Sequence, residues 1–204
     1  MSRTIKVLLA EDQSMVREAL AALLGLEPDI EVVAQVARGD EVLAAARAHD
    51  VDVALLDIEM PGMTGIEAAA EVHEELPGVK LIVLTTFGRP GYLRSAMESG
   101  ADAFLVKDAP AAQLAAAVRK VLAGERVIDP TLAAAALAEG ANPLTDRERE
   151  ILRAAADGST NAELARALHL SQGTVRNYLS TAIQKLAVRN RAEAVRIARE
   201  KGWL

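Results

Sequence analysis

The chain has 204 residues, 51% of them apolar but only 2% aromatic, with no Cys. That length holds one large or two small domains around an aliphatic core, and it leaves no disulfide, thiolate metal site or Cys nucleophile. The net charge of −6 is uneven: residues 1–143 carry 12 Lys and Arg against 22 Asp and Glu, whereas residues 144–204 carry 11 against 7. An acidic body with a basic end points to two domains with different partners, nucleic acid for the second, although exposed helices are often charged in one sense without binding anything. Residues 1–10 lack the apolar core and cleavage site of a signal peptide, and no apolar run reaches membrane-spanning length. A cytoplasmic protein without membrane insertion is expected, and the lack of Cys fits a reducing compartment.

Residues 5–10 read as a first strand followed directly by Glu11 and Asp12. Residues 14–26 have helical spacing, with Met15, Ala19, Ala22, Leu23 and Leu26 on one face. A second strand spans 31–37 and a short Ala-rich helix 41–48. The third strand is apolar at successive positions, Val53-Ala54-Leu55-Leu56, as in a strand buried on both faces of a parallel sheet. It delivers one carboxylate, Asp57, and stops at the turn signal Pro61-Gly62. A third helix ends at Pro77-Gly78, a fourth strand covers 80–86, a helix runs from 90 to 99, a fifth strand covers 103–107, and a fifth helix, 111–123, closes at Gly124.

Five β-then-α units predict a five-stranded, doubly wound parallel sheet with helices on both faces. Ligands of such sheets bind at the carboxyl ends of the strands. Those ends carry Glu11 and Asp12, then Asp57, then Thr85 and Thr86, then Lys107. An isolated Asp at a strand end is usually a solvated cap for the next helix. Three carboxylates in one cleft are different, because such a cluster costs stability unless a cation neutralises it. Oxygen ligands without His or Cys suit a hard ion such as Mg²⁺. A hydroxyl and an ammonium across from them complete a place for a phosphoryl group.

On these residues, residues 3–123 resemble the flavodoxin-like receiver domain of two-component response regulators. The resemblance implies that Asp57 is the phosphoacceptor, attacking a phosphohistidine on a sensor histidine kinase. It implies Mg²⁺ held directly by Asp12 and Asp57, through water by Glu11, and by the backbone carbonyl of Glu59. Lys107 would pair with the phosphoryl oxygens. Thr85 would swing to hydrogen-bond the phosphoryl, and Phe104, at a position often Tyr, would turn inward behind it. Glu59 stands where many relatives carry Asn, and Phe87 lies two residues past Thr85, so these two positions bear on the lifetime of the phosphoryl group.

Residues 124–143 read as a linker with a short Ala-rich helix at 131–139, or as a mobile tether. From Leu144 the punctuation is that of capped helices. Thr145-Asp146-Arg147-Glu148 and Thr160-Asn161-Ala162-Glu163 are capping boxes, His169-Leu170 makes a turn, Ser171 caps a third helix, and Asn190 opens a fourth. Two short helices joined by a tight turn make a helix-turn-helix. On its second helix Val175, Leu179 and Leu186 fall on one face, and the opposite face is almost wholly hydrogen-bonding. Arg and Asn read guanine and adenine edges, and Thr, Ser and Lys suit phosphates; the alternative is an ordinary solvated helix face.

Residues 144–204 resemble the LuxR-type DNA-binding domain of NarL/FixJ-type response regulators, through Leu-Thr-x-Arg-Glu at 144–148, Thr174-Val175-Arg176-Asn177-Tyr178, and Asn190-Arg191-Ala192-Glu193-Ala194. The resemblance implies base contacts by Arg176, Asn177 and Ser180, backbone contacts by Thr174, Tyr178 and Lys185, and a dimer surface on DNA with Ala194, Val195 and Ala198. Ser180 departs from the longer or basic residue frequent there. The loop after Asp57, the stretch Thr85-Thr86-Phe87-x-Arg89-Pro90-Gly91-Tyr92 and the ending Lys201-Gly202-Trp203 also resemble the desaturase-controlling, membrane-fluidity regulators of this family. The expectation is a transcription factor, not an enzyme, with a receiver domain (1–123), a linker (124–143) and an all-α helix-turn-helix domain (144–204). Phosphorylation would form a homodimer, through the first and fifth helices or the fourth and fifth, that binds promoter DNA. Competing readings are a receiver-like regulator that is never phosphorylated, and an Asp-nucleophile phosphatase. The latter generally needs a second Asp where this chain has Glu59, and a cap domain for which residues 1–123 leave no room.

Overall fold

The computed structural model of the chain describes residues 3–86, 90–139 and 142–204; Phe87, Arg89 and Gly140 lie outside the described residues. The first part alternates β1 (Ile5–Ala10), α1 (Ser14–Leu24), β2 (Ile30–Val36), α2 (Val42–His49), β3 (Val53–Asp57), α3 (Gly65–Glu75), β4 (Lys80–Thr85), α4 (Pro90–Glu98), β5 (Ala103–Val106) and α5 (Ala111–Leu122). A short strand β6 (Val127–Ile128) and helix α6 (Pro130–Glu139) follow. All pairings are parallel, in the order β2-β1-β3-β4-β5-β6.

The period-2 alternation of strand side chains divides the core between two faces. Val7, Leu9, Val53, Leu55, Ile82 and Leu84 pack on one side with Leu20 and Leu24 of α1 and Val118 and Val121 of α5. Leu8, Ala10, Ala54 and Leu56 point the other way, onto Val42 and Ala46 of α2 and Ala68, Ala69 and Val72 of α3. Every residue of β3 is buried, Asp57 included.

Two features differ from the sequence expectation. The sheet has a sixth strand, so the segment from 124 begins at the sheet edge and only then becomes the expected helix. Val127 and Ile128 pair with Ala103 and Phe104, a run too short to show periodicity and flanked by Glu125, Arg126 and Asp129. On α1, the stripe that meets the core holds Leu20 and Leu24, with Val16 packed against it. Met15, Leu23 and Leu26 are exposed instead, at 82%, 42% and 79%. The helix is apolar almost all the way round, so spacing alone could not choose which stripe the sheet would take.

The first compact unit takes in the chain up to residue 88 and Leu93–Ala134, and the second takes in residues 89–92 and the chain from Ala135. The second holds α7 (Asp146–Ala154), α8 (Asn161–Ala167), α9 (Gln172–Lys185) and α10 (Arg191–Glu200). Both expected capping boxes are formed, with Glu148 N donating to Thr145 Oγ1 and Glu163 N to Thr160 Oγ1. Ser171 caps α9 and Asn190 caps α10 by the same kind of bond, from Thr174 N and Glu193 N. His169 takes a left-handed φ of 53°, and Leu170 N donates to Ala165 O at 2.8 Å, which makes the turn between α8 and α9.

Ala194, Val195 and Ala198, expected on a dimer surface, lie instead in the core of this unit with Ile151, Leu152, Val175, Leu179 and Trp203. They form the apolar stripe by which α10 closes the bundle, and burial there outweighs any role at the surface. The outward positions of α10 are Ala192, Arg196, Arg199 and Glu200. No helix among the described residues is long and apolar enough to cross a membrane.

Candidate functional site

Strand order reverses between β1 and β3, and the carboxyl ends there gather the expected side chains. Glu11, just past β1, is wholly buried, Asp57 closes β3 at 5% exposure, and Thr85 closes β4 at 4%. Asp12 is exposed beside them, and one carboxylate oxygen each from Glu11, Asp12 and Asp57 lies within 4.8 Å of the others. Lys107 follows β5, its backbone N–H donating to Thr85 O at 2.8 Å. Its Nζ sits 2.6 Å from Glu11 Oε2 and 2.9 Å from Asp57 Oδ1.

Burial is the chief force on these groups and pushes the Glu11 and Asp57 carboxyls up, against the pull of Lys107. Burial works on Lys107 in the opposite sense, yet its two carboxylate partners prevail and raise its pKa. Two buried carboxylates and exposed Asp12 against one ammonium leave the pocket short of positive charge. Glu11 Oε2 lies 2.6 Å from an ammonium whose single charge is shared with Asp57, so the carboxylates are only partly neutralised. Three convergent carboxylates with no sulfur or imidazole fit a hard divalent ion such as Mg²⁺. Glu59, the expected source of a backbone ligand, has an exposed side chain two residues beyond Asp57. Phe104 has no exposed surface: the inward position expected on activation is the one it occupies, and a phenyl ring has no hydroxyl to draw it towards water.

Two residues that shape this pocket escaped the sequence reading. Arg17 on α1 donates Nη1 to the backbone carbonyl of Glu11 at 2.5 Å, bracing the acidic turn. Gly65 opens α3 so close beneath the site that a Cβ there would stand 1.9 Å from the Asp57 carbonyl oxygen. The Pro-Gly turn marked the loop, but a close backbone approach eight residues away in sequence leaves no local signal.

On α9, Arg176, Asn177 and Ser180 are exposed along one face. Thr181, also exposed, turns its Oγ1 onto Asn177 O at 3.0 Å. Thr174 is half-buried in the cap with Ser171 Oγ at 2.8 Å. Tyr178 packs against the core, and Lys185 Nζ donates to Glu148 Oε2 at 2.7 Å.

An acidic pocket on a parallel sheet, joined in one chain to a capped helix-turn-helix, defines a phosphorylation-type regulator of transcription. Residues 7–119 match the response regulator receiver domain, and residues 142–198 match the bacterial regulatory proteins of the luxR family. The chain belongs to the two-component response regulators that carry a LuxR-type DNA-binding domain.

Among individual relatives, it is 46% identical over 199 residues to the transcriptional regulatory protein DesR of Bacillus subtilis, covering 98% of each chain. It is 47% identical over 200 residues to the uncharacterized transcriptional regulatory protein YvfU of the same organism, covering 98% of this chain and 100% of that one. The response regulator ChrA of a heme-sensing two-component system shares 33% identity and a TM-score of 0.59, over 98% of this chain and 99% of that one. The DesR match supports the subgroup that the Asp57 loop and the Lys201-Gly202-Trp203 ending resemble.

Proposed function

We propose that Asp57 is the phosphoacceptor through which a sensor histidine kinase switches this regulator. An Asp57 carboxylate oxygen attacks the phosphorus of a phosphohistidine; the P–N bond breaks, its electron pair stays on the imidazole, and an acyl phosphate forms. The observation that carries this reading is the Lys107 ammonium, 2.9 Å from Asp57 Oδ1 and 2.6 Å from Glu11 Oε2. From there it can follow the negative charge from carboxylate to phosphoryl oxygens. Glu11, Asp12, Asp57 and the Glu59 carbonyl are the residues that would hold Mg²⁺, which when bound neutralises charge between the acidic cluster and the incoming phosphoryl group. Thr85, buried beside Lys107, supplies the hydroxyl for a phosphoryl oxygen and so reports the modification to the sheet edge.

The output is a homodimer that places two α9 helices on paired half-sites of promoter DNA in the cytoplasm, with affinity gained from effective concentration. Receiver pairing through α1 and α5 is the better supported of the two faces. Met15, Ala19, Ala22 and Leu23 form an exposed apolar stripe on α1 with exposed Leu26 just past its end, and Leu122 of α5 is 39% exposed. Bulky ends around small central residues are self-complementary under a two-fold axis, which brings Met15 of one copy opposite Leu26 of the other. The likeness to the desaturase-controlling regulators points to membrane-lipid genes as targets.

Sedimentation of the full chain with and without acetyl phosphate and MgCl₂ tests the switch. The wild type is expected to pass from monomer to dimer and Asp57→Asn to remain monomeric. Donor-driven dimerisation of the mutant would overturn the assignment.

A further inference from the structure

The Leu-Thr-x-Arg-Glu stretch at 144–148 marks the family but has no place in the chemistry above. Two of its charged residues, Arg147 and Glu148, reach from the first turn of α7 to the helix-turn-helix. Arg147 Nη2 donates to the carbonyl oxygen of Leu168, at the end of α8, at 3.3 Å. Glu148, 3% exposed, accepts at Oε2 from Thr145 N at 2.7 Å and from Lys185 Nζ at 2.7 Å. A buried carboxylate of this kind is strongly destabilising if its cation is removed. Lys185 is the last residue of α9, where the helix dipole also favours a positive charge.

A lysine that grips DNA phosphate displaces counterions, and each such contact contributes about 0.9 to the salt slope of binding. Lys185 is exposed, with 33% of its side chain open to water, but its ammonium is already paired with a buried carboxylate that offsets the charge a phosphate would meet. We propose that Lys185 is a positioning residue rather than a phosphate ligand: with Glu148 it anchors the far end of α9 and sets the pitch at which Arg176, Asn177 and Ser180 meet base edges. The inference rests on reading α9 as the recognition helix. Arg176 and Lys185 are nine residues apart, roughly 13 Å along a helix. A tilt of about 5° at the Lys185 end therefore moves Arg176 by about 1 Å, enough to spoil a bidentate contact. The pair thus governs sequence discrimination and leaves the electrostatic part of binding alone.

The test uses the full chain with acetyl phosphate and MgCl₂, a duplex recovered by the wild type from a random-sequence pool, and a scrambled duplex of equal length, titrated over a salt series. Lys185→Met is expected to keep the salt slope on both duplexes and to lose roughly tenfold in preference for the recovered one, the scale of one charge-assisted bond. Lys185→Arg should restore that preference, a rescue that general loosening of the fold would not show. Glu148→Gln should lose the preference too, and the double mutant should be no worse than either single one; if Lys185→Met, which strands the buried Glu148 carboxylate, does not fold, Glu148→Gln carries the test. A slope lower by about 0.9 in Lys185→Met, or an unchanged preference, overturns the proposal. Arg176→Ala separates the two readings: if it leaves preference and slope unchanged, α9 is not the recognition helix, and the assignment fails at that earlier step.

Discussion

The Lys107 ammonium lies 2.6 Å from the Glu11 carboxylate, both side chains almost wholly buried, so the acidic pocket carries its own partial counterion. Lys107→Met should remove that charge and leave the buried Glu11 and Asp57 carboxylates without their ammonium partner. The expected cost is about 3–5 kcal/mol at neutral pH, as for other buried charges stripped of their partner. Saturating MgCl₂ should recover much of it, because a divalent ion meets the same need. Thermal melting of wild type and mutant, with and without MgCl₂, measures both effects. A mutant that melts like the wild type without metal would show that the ammonium does not carry the electrostatics of the pocket.

Acidification should uncouple the metal before ordinary carboxylates titrate. Burial raises both Glu11 and Asp57 above their usual values of 4.5 and 3.8. The folded protein therefore binds these protons more tightly than the unfolded chain does. The stability this contributes is fully present below the unfolded values and is lost as pH rises through the folded ones. Mg²⁺ needs both groups ionised, so its stabilising effect should fade as pH drops through the folded values, which lie above 4.5 for Glu11 and above 3.8 for Asp57. The rise in melting temperature on adding MgCl₂, followed from neutral pH downward, gives the curve. A metal effect that persists unchanged to the range of free Asp and Glu would contradict it.

Gly65→Ala should damage the site without touching a charge. Its Cβ would meet the Asp57 carbonyl oxygen at 1.9 Å, forcing either the strand end or the start of α3 to shift. Overpacking of this kind costs about 1–3 kcal/mol, and the displaced group is the backbone of Asp57 itself. Labelling by acetyl phosphate with MgCl₂ should therefore fall several-fold even where the protein remains folded. Gly78→Ala, with nothing within 4 Å of the added Cβ, is the matched control.

Much of this site was legible because its chemistry sits at strand ends, where an apolar run gives way to a charge within one residue. Asp57 after Leu56 and Glu11 after Ala10 needed no knowledge of distant contacts. The capping boxes at Thr145 and Thr160 were equally local. What failed was the choice between faces. Ala194, Val195 and Ala198 are small and apolar, as a dimer contact or a helix core can be, and only the packing of α10 in its unit decides between them. The partner of Lys185, Glu148, lies 37 residues away, so their ion pair could not be read from local spacing. Arg17 and Gly65 act on backbone atoms, which leave no mark on side-chain patterning.

The α1 stripe makes the final prediction. Met15 and Leu26 are 82% and 79% exposed, so a charge at either position meets water in the monomer and should change stability within about 0.5 kcal/mol. In a two-fold α1 pairing the same charge would be buried against an apolar side chain of the other copy, without a partner. Met15→Glu and Leu26→Glu should each weaken phosphodonor-driven dimerisation by at least tenfold, and labelling of Asp57 should continue at the wild-type rate. An Arg at Met15 paired with a Glu at Leu26 in the same chain should restore much of the dimer, since the two-fold axis would set opposite charges against each other at both ends. Sedimentation across a concentration series reads the dimer constant. If both single mutants dimerise like the wild type, the α1 face is not the seam and the fourth and fifth helices become the surface to mutate next.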